Sequence, residues 1–278
     1  FFSHPEYALW LGDRKPTAVK YYKGLGTSTS EDAKHYFTNI DEHRFPLRYS
    51  GDPCNVAVDT MFNAGMSDER KRILKGADPT AYIQYGRCEI TFDTVCRTEL
   101  VQHGLADNRR SIASAIDGLK PSQRKILHVV LGRPNGECKV AQLAAAVAEK
   151  TAYHHGEKSM VQAMVAMAQP WMGACNIALL RPNGMFGSRH DARTEHSAER
   201  YIFTERHAIA PVLFPSADEC VLEYSEDDGK VVEPKYFVPI VPFALINDLP
   251  GAQSLSLVWR LALGAALAVS MLAAAATR

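Results

Sequence analysis

The side chains that could do chemistry gather in two stretches, "AERYIFT" at residues 198–204 and "AYHHGEKSM" at 152–160. In the first, Arg200 and Tyr201 stand side by side. A tyrosine hydroxyl titrates near ~10, so attack on phosphorus at neutral pH needs a cation or metal to hold the oxyanion and the transition-state charge. Arginine suits that task because it stays protonated and forks onto two phosphate oxygens. Arg189, Arg193 and Arg200 all lie near Tyr201 in sequence. The competing reading is an aromatic packed at the edge of a half-buried strand, because an apolar alternation begins directly after it. On the heptapeptide alone the packed aromatic is the stronger of the two. In the second stretch His154, His155, Glu157 and Lys158 precede an apolar run. They read either as a helix start with a satisfied histidine pair and a glutamate that suits the helix dipole, or as a cluster facing a phosphate. No Ser-His-Asp arrangement, glycine-rich nucleotide cradle or HExxH pattern can be defended in the chain.

The elements that must position these residues are legible from periodicity and punctuation. "KYYKGLGTSTSEDAKHYF" reads as a strand end at its two tyrosines, a tight loop at Gly24 and Gly26, and a helix from Glu31 to Phe37 capped by Ser28 or Ser30. Strand, glycine loop and helix make an α/β fragment. Residues 55–76 hold an apolar helical stretch up to Gly65, then a charged helix carrying Arg70, Lys71 and Arg72. That triplet reads locally as a solvated face, with a phosphate contact as the sharper alternative. In "GLKPSQRKILHVVL", Pro121 sits where a helix first turn tolerates it, and Ile126, Leu127, Val130 and Leu131 form an apolar stripe behind Lys120, Arg124 and Lys125. Further helices are expected from Val140 to Ala148 and from Met160 to Ala168. Three short helices with basic residues at one end point to a helix-turn-helix or winged-helix unit. Turn residues at Pro182, Asn183 and Gly184 then mark a hairpin or wing, and residues 180–250 read mostly as strands and loops. An exposed acidic hairpin is expected around Asp228 and Gly229.

Composition bounds the answer without choosing a function. With 278 residues and 46% apolar content the chain can bury a core and holds about two domains. Its 31 basic and 31 acidic residues cancel, which neither supports nor excludes a nucleic-acid partner. Six cysteines, at 54, 88, 96, 138, 175 and 220, show neither a CxxC pair nor zinc spacing, and no secretory signal precedes them. A reduced, intracellular protein is expected, and metal binding by the ten histidines is not. From Leu255 to Ala276 the chain is nearly all apolar, close to the ~20 residues that span a bilayer, but Arg260 interrupts it. A buried helix or a tail foreign to the domain before it is weighed at least equally, and a membrane partner is not favoured.

Taken in order, these motifs resemble one family, the type IIA DNA topoisomerases of eukaryotic type. The resemblance runs from Phe1 to about Asn247 through "FFSHPEYALW", "KYYKGLGTSTSEDAKHYF", "DERKRIL", "ADNRRSIASAIDGLKPSQRKIL", "KVAQLAAAVAEKTAYHHGEKSM", "NIALLRPNGMFGSR" and "RYIFT". It implies an α+β chain: the end of an α/β Toprim domain over residues 1–50, a connecting helical region over 51–110, a winged-helix breakage-reunion domain over 111–205, the start of a β-rich tower domain over 206–250, and an atypical apolar tail over 251–278. By resemblance Tyr201 matches the tyrosine that attacks a DNA phosphodiester and becomes 5′-phosphotyrosyl, and Arg200 the arginine that stabilises the transition state. Lys23 matches the lysine of the KGLG loop. Arg70, Lys71, Lys120, Tyr153 and Ser159 match positions that touch DNA, while Arg124, His154 and His155 fall in winged-helix motifs facing the scissile phosphate. The resemblance also implies double-stranded DNA as partner, a homodimer, a nuclear location with a mitochondrion-type organelle or viral factory as alternative, and Mg2+ and ATP as cofactors of the full-length enzyme.

Departures from the family pattern set further expectations. The glutamate and DxD pair that bind magnesium, and the ATPase region, would precede Phe1, so this chain is expected not to hold Mg2+ or ATP and not to cleave DNA efficiently by itself. Before Arg200 the usual glycine pair and proline are replaced within "ARTEHSAE". After "VPFALIN" the family's glycine-rich stretch is replaced by the apolar tail, which reads as an unrelated terminus or a gene-model break.

Overall fold

Two units divide the chain, Phe1–Asn108 and Arg109–Arg278. The computed structural model describes all residues except 15, 18, 21, 23–27, 86–88, 172–174, 191–194, 228–229 and 248–278. The first unit is helical: α1 (His4–Leu11), α2 (Ser30–Thr38), α3 (Ile40–His43), α4 (Asp52–Phe62), α5 (Ser67–Lys75), α6 (Phe92–Arg97) and most of α7 (Glu99–Ser111). The start of α2 is set by a reciprocal cap: the Asp32 N–H donates to Thr29 Oγ1 at 3.2 Å, and the Thr29 N–H donates to Asp32 Oδ2 at 2.9 Å. The cap is therefore Thr29, not Ser28 or Ser30. Of the expected strand end, Tyr22 is irregular and Tyr21 lies outside the described residues, as does the Gly24–Gly26 loop. Among the described residues of this unit, β pairing is confined to an isolated bridge between Arg48 and Thr91. Cys54, Ala57 and Thr60 recur every three residues on α4 and are its buried side chains, and α4 packs on α6, whose buried side chain is Cys96.

The second unit is built on α8 (Pro121–Leu131), α9 (Val140–Lys150) and α10 (Glu157–Ala168). Their apolar residues recur at helical spacing. On α9, Val140, Leu143, Ala144 and Val147 are buried, and they meet Ile126, Leu127 and Val130 of α8 and Met160, Met164 and Val165 of α10 in one core. Each such aliphatic side chain taken fully from water contributes roughly 1.5–3 kcal/mol before the entropy of ordering it is counted. Of the stripe expected on α8, Leu131 is only partly buried, while Val129 joins the core. A three-stranded antiparallel sheet closes the unit: β1 (Cys138–Lys139), β2 (Leu180–Asn183) and β3 (Phe203–Arg206), with β3 in the middle, Lys139 opposite Phe203 and Leu180 opposite Arg206. Short strand, two helices and a two-stranded wing are the winged-helix order the sequence implied. The Pro182–Gly184 turn ends β2 but does not close a tight hairpin, because β3 begins only at Phe203.

Beyond the wing lie α11 (Ala210–Leu213), β4 (Tyr224–Asp227), β5 (Lys230–Pro234) and α12 (Phe243–Ile246). β4 and β5 pair antiparallel with Asp227 opposite Lys230, and β5 packs on α8. The turn at Asp228 and Gly229 lies outside the described residues, as does the apolar tail. Among the described residues no helix is long and apolar enough to cross a membrane.

Candidate nucleic-acid interface

Tyr201 sits at the base of the wing, against the N-terminus of α9. A helix start leaves several N–H groups without partners in the helix itself. Here the wing loop supplies acceptors: the Val140 N–H donates to the Ile202 carbonyl at 3.1 Å and the Ala141 N–H to the Glu199 carbonyl at 3.2 Å. The Tyr201 N–H donates to the Ala198 carbonyl at 2.9 Å, closing a turn, and the Ser197 N–H donates across the loop to the Met185 carbonyl at 2.9 Å. Ile202 is 1% exposed and anchors the segment in the core, whereas Tyr201 is 67% exposed. The packed-aromatic reading of "AERYIFT" is thereby overturned, because Ile202 takes the buried place and the turn before β3 leaves the tyrosine ring outside. The Arg200 guanidinium carbon lies 4.8 Å from the centre of that ring, a cation–π stack that keeps the positive charge beside the phenol. Gly184, at φ +106°, lets the opposite arm of the loop close on Ile202: a Cβ there would stand 3.2 Å from Ile202 Cγ2.

The second group of residues gathers at the other end of α9. Lys125 Nζ donates to the Thr151 carbonyl just beyond α9 at 2.5 Å, which places the first half of α8 beside that end. Tyr153, His154 and His155 follow in the turn between α9 and α10, and Ser159 stands in the first turn of α10. Tyr153 is half-buried, and its ring meets His155 edge-on with centres 5.3 Å apart. His154 Nε2 lies 3.3 Å from Asp227 of β4. Lys120 immediately precedes α8, its N–H donating to Gln123 Oε1 at 2.9 Å. Burial pushes the Tyr153 hydroxyl above its ordinary value, and the nearby Arg110 charge pulls it back. Arg110, at the end of α7, was within "ADNRRSI" but was not singled out; two adjacent arginines at a helix end were the available signal.

Three arginine and lysine expectations look different in three dimensions. Arg124 is 7% exposed and turned inward: its Nε and Nη2 donate to Asp117 at 2.6 and 3.0 Å, and Nη2 also donates to the Leu119 carbonyl at 3.0 Å. It holds the loop that carries Lys120 and is turned away from solvent. The cause is Asp117, which is wholly buried and requires a counter-charge. Arg70 closes the end of α4, donating to the Thr60 and Asn63 carbonyls at 2.9 and 2.6 Å. Lys71 is exposed and pairs with Asp68 at 2.8 Å, a solvent-facing bridge weak enough to exchange for another anion. Lys23 and Arg193 lie outside the described residues, and Arg189 is exposed. Among the described residues no group of three or more His, Cys, Asp or Glu side chains is placed to hold a metal ion.

Comparison with known proteins covers both units. The DNA gyrase/topoisomerase IV family matches residues 110–253, and the C-terminal associated domain of TOPRIM matches residues 1–108. The chain is 39% identical over 264 residues to DNA topoisomerase 2 of Arabidopsis thaliana, covering 93% of this chain and 18% of that protein. It is 40% identical over 277 residues to DNA topoisomerase 2-alpha of Homo sapiens, covering 93% of this chain and 18% of that protein. A crystal structure described as the Plasmodium falciparum topoisomerase II DNA-binding, cleavage and re-ligation domain matches with a TM-score of 0.73 at 37% identity, covering 89% of this chain and 34% of that one. The chain thus spans about a fifth of the length of these curated relatives.

Proposed function

The chain belongs to the type IIA DNA topoisomerases, the family of DNA gyrase and topoisomerase IV, and from that premise we propose that it is the breakage-reunion part of an ATP-dependent topoisomerase II. The Tyr201 oxygen attacks a phosphodiester of duplex DNA and forms a 5′-phosphotyrosyl bond as the P–O3′ bond breaks, the proton lost by the phenol being balanced by the one the departing 3′ oxygen takes up to leave as a hydroxyl. The bond energy is kept in the ester, so the 3′-hydroxyl can reseal the strand after a second duplex has passed. Arg200 holds the charge that builds on the phosphate oxygens. The observation that carries this reading is the outward ring of Tyr201 under the Arg200 guanidinium, on a loop whose carbonyls are fastened to the start of α9.

A homodimer is part of the proposal. The helix α9 has 11 residues and is therefore about 16 Å long, with Tyr201 and Arg200 at its start and Tyr153, His154, His155 and Ser159 at its end. A hydrogen bond to a phosphate spans only about 3 Å. One copy thus offers the two groups to different phosphates, and two copies related by a two-fold axis would bring one copy's tyrosine to the other's histidine turn and cut both strands. The proposed location is the nucleus, by likeness to the family, with a mitochondrion-type organelle or viral factory as the alternative. Among the described residues no set fits Mg2+.

The deciding experiment supplies the chain with duplex DNA, magnesium and a Toprim-containing fragment, then recovers protein-linked DNA. A linked 5′ end that disappears in Tyr201→Phe is the expected result. DNA binding that survives Tyr201→Phe, with no linked DNA in either protein, would instead make the chain a non-catalytic winged-helix module.

A further inference from the structure

The turn that carries Tyr153, His154 and His155 is strained and is held from outside by the β4–β5 hairpin. Ala152 lies in the left-handed region at φ 46°, which a residue with a Cβ adopts only when its surroundings dictate it. Thr151, fully buried, begins the turn: its Oγ1 donates to the Val147 carbonyl at 2.6 Å, and its own carbonyl accepts from Lys125 Nζ at 2.5 Å. Lys125 is itself nearly buried and is neutralised by Glu233 of β5, with Nζ to Oε2 at 2.9 Å and side-chain exposures of 13% and 10%. At the far end of the same turn, Asp227 of β4 meets His154 Nε2 at 3.3 Å. A single hairpin therefore grips the turn on both sides of its strained residue, through a buried lysine on one side and directly on the other.

We propose that Glu233 and Asp227 are positioning residues for the Tyr153–His155 turn, Glu233 acting through Lys125 on the Thr151 carbonyl and Asp227 by its hydrogen bond to His154. Without the Glu233 carboxylate, a buried ammonium has no counter-charge and is no longer kept at Thr151. Without Asp227, the His154 ring loses a partner that helps to orient it. The inference rests on the proposed reading of this turn as facing a DNA phosphate, and its test separates the two.

The first measurement needs no DNA. Nitrogen-15 spectra of the 278-residue chain report the ring nitrogens of His154 and His155 and the amides of residues 151–156. Glu233→Ala and Asp227→Ala are expected to shift them, and Glu233→Gln, which keeps an acceptor for Lys125, to shift them less. The second measurement is the protein-linked DNA assay with magnesium and a Toprim-containing fragment. Linked DNA should form at least about tenfold more slowly in both alanine variants, as expected for reacting groups displaced by an ångström or so. Affinity for a short duplex should change less than about twofold, since no group that binds the backbone is removed. Asp227 is surface-exposed, so Asp227→Ala keeps the test open if Glu233→Ala unfolds. Unshifted ring signals in Asp227→Ala would overturn the inference, as would a tighter duplex complex with unaltered rate, the mark of a carboxylate that merely repels phosphate. If the parent chain forms no linked DNA, the functional reading fails and the spectra alone judge the positioning.

Discussion

Asp117→Ala is expected to be among the most destabilising single changes in the second unit. The Asp117 carboxylate is wholly buried and accepts four hydrogen bonds: from Arg124 Nε at 2.6 Å and Nη2 at 3.0 Å, from the Leu119 N–H at 2.9 Å, and from the Phe237 N–H at 3.0 Å. It therefore joins the loop before α8, the helix itself and the segment after β5. Alanine would strand the buried guanidinium of Arg124 at a cost of about 3–5 kcal/mol. It would also orphan two buried N–H groups, at about 1–3 kcal/mol each. Relaxation and entry of water make these overlap, so a net loss of about 5 kcal/mol is expected, against a total stability of roughly 5–15 kcal/mol for a domain. Asp117→Asn keeps an oxygen for part of the set and should lose about 3 kcal/mol. Adding Arg124→Met to Asp117→Ala removes the stranded charge, and the double variant should be more stable than Asp117→Ala alone by about 1–3 kcal/mol. The assay is urea unfolding followed by Trp171 fluorescence, with Trp10 and Trp259 replaced by phenylalanine so that the signal reports this unit. Midpoints should move while the slope stays constant. An Asp117→Ala midpoint equivalent to a loss under about 1 kcal/mol, or a double variant as unstable as the sum of the singles, would refute the charge-stranding argument.

Two further outcomes follow from the same core. Gly118, at φ +68°, has the Ala244 amide nitrogen only 2.6 Å from where a Cβ would stand, so Gly118→Ala should cost at least about 3 kcal/mol in the same unfolding assay. Gly136→Ala, with nothing within 4 Å, should be close to neutral and serves as control. Burial pushes the His128 imidazole below its ordinary value of 6.5, with Glu233 and Glu219 partly opposing. Because its folded value lies below the unfolded one, stability is level above about 6.5 and falls as the pH drops from there through the lowered value. His128→Gln should flatten that limb of the stability profile, and an unchanged slope between about pH 6.5 and 5 would contradict the assignment.

Residue order by itself determined the helices of the second unit and the family. Pro121 and the recurrence of Ile126, Leu127 and Val130 define α8, because helix periodicity and the proline first-turn preference are properties of a segment and need no partner. The same holds for α9 and α10. What the segment could not determine was orientation. "AERYIFT" left a buried and an exposed tyrosine both open, and the choice was made by the wing loop docking its Glu199 and Ile202 carbonyls on the start of α9, which sends Ile202 into the core and Tyr201 out. Arg124 shows the converse: among Lys120 and Lys125 it read as one more cation at a helix start, but only the fold brings it within 2.6 Å of the buried Asp117. Exposure and charge pairing depend on contacts between segments distant in sequence, such as Lys125 with Glu233, and no local pattern encodes those. Sequence determined which candidate residues were present; the tertiary structure decided that Tyr201 faces outward and Arg124 inward, and set Tyr201 and the Tyr153–His155 turn at opposite ends of α9.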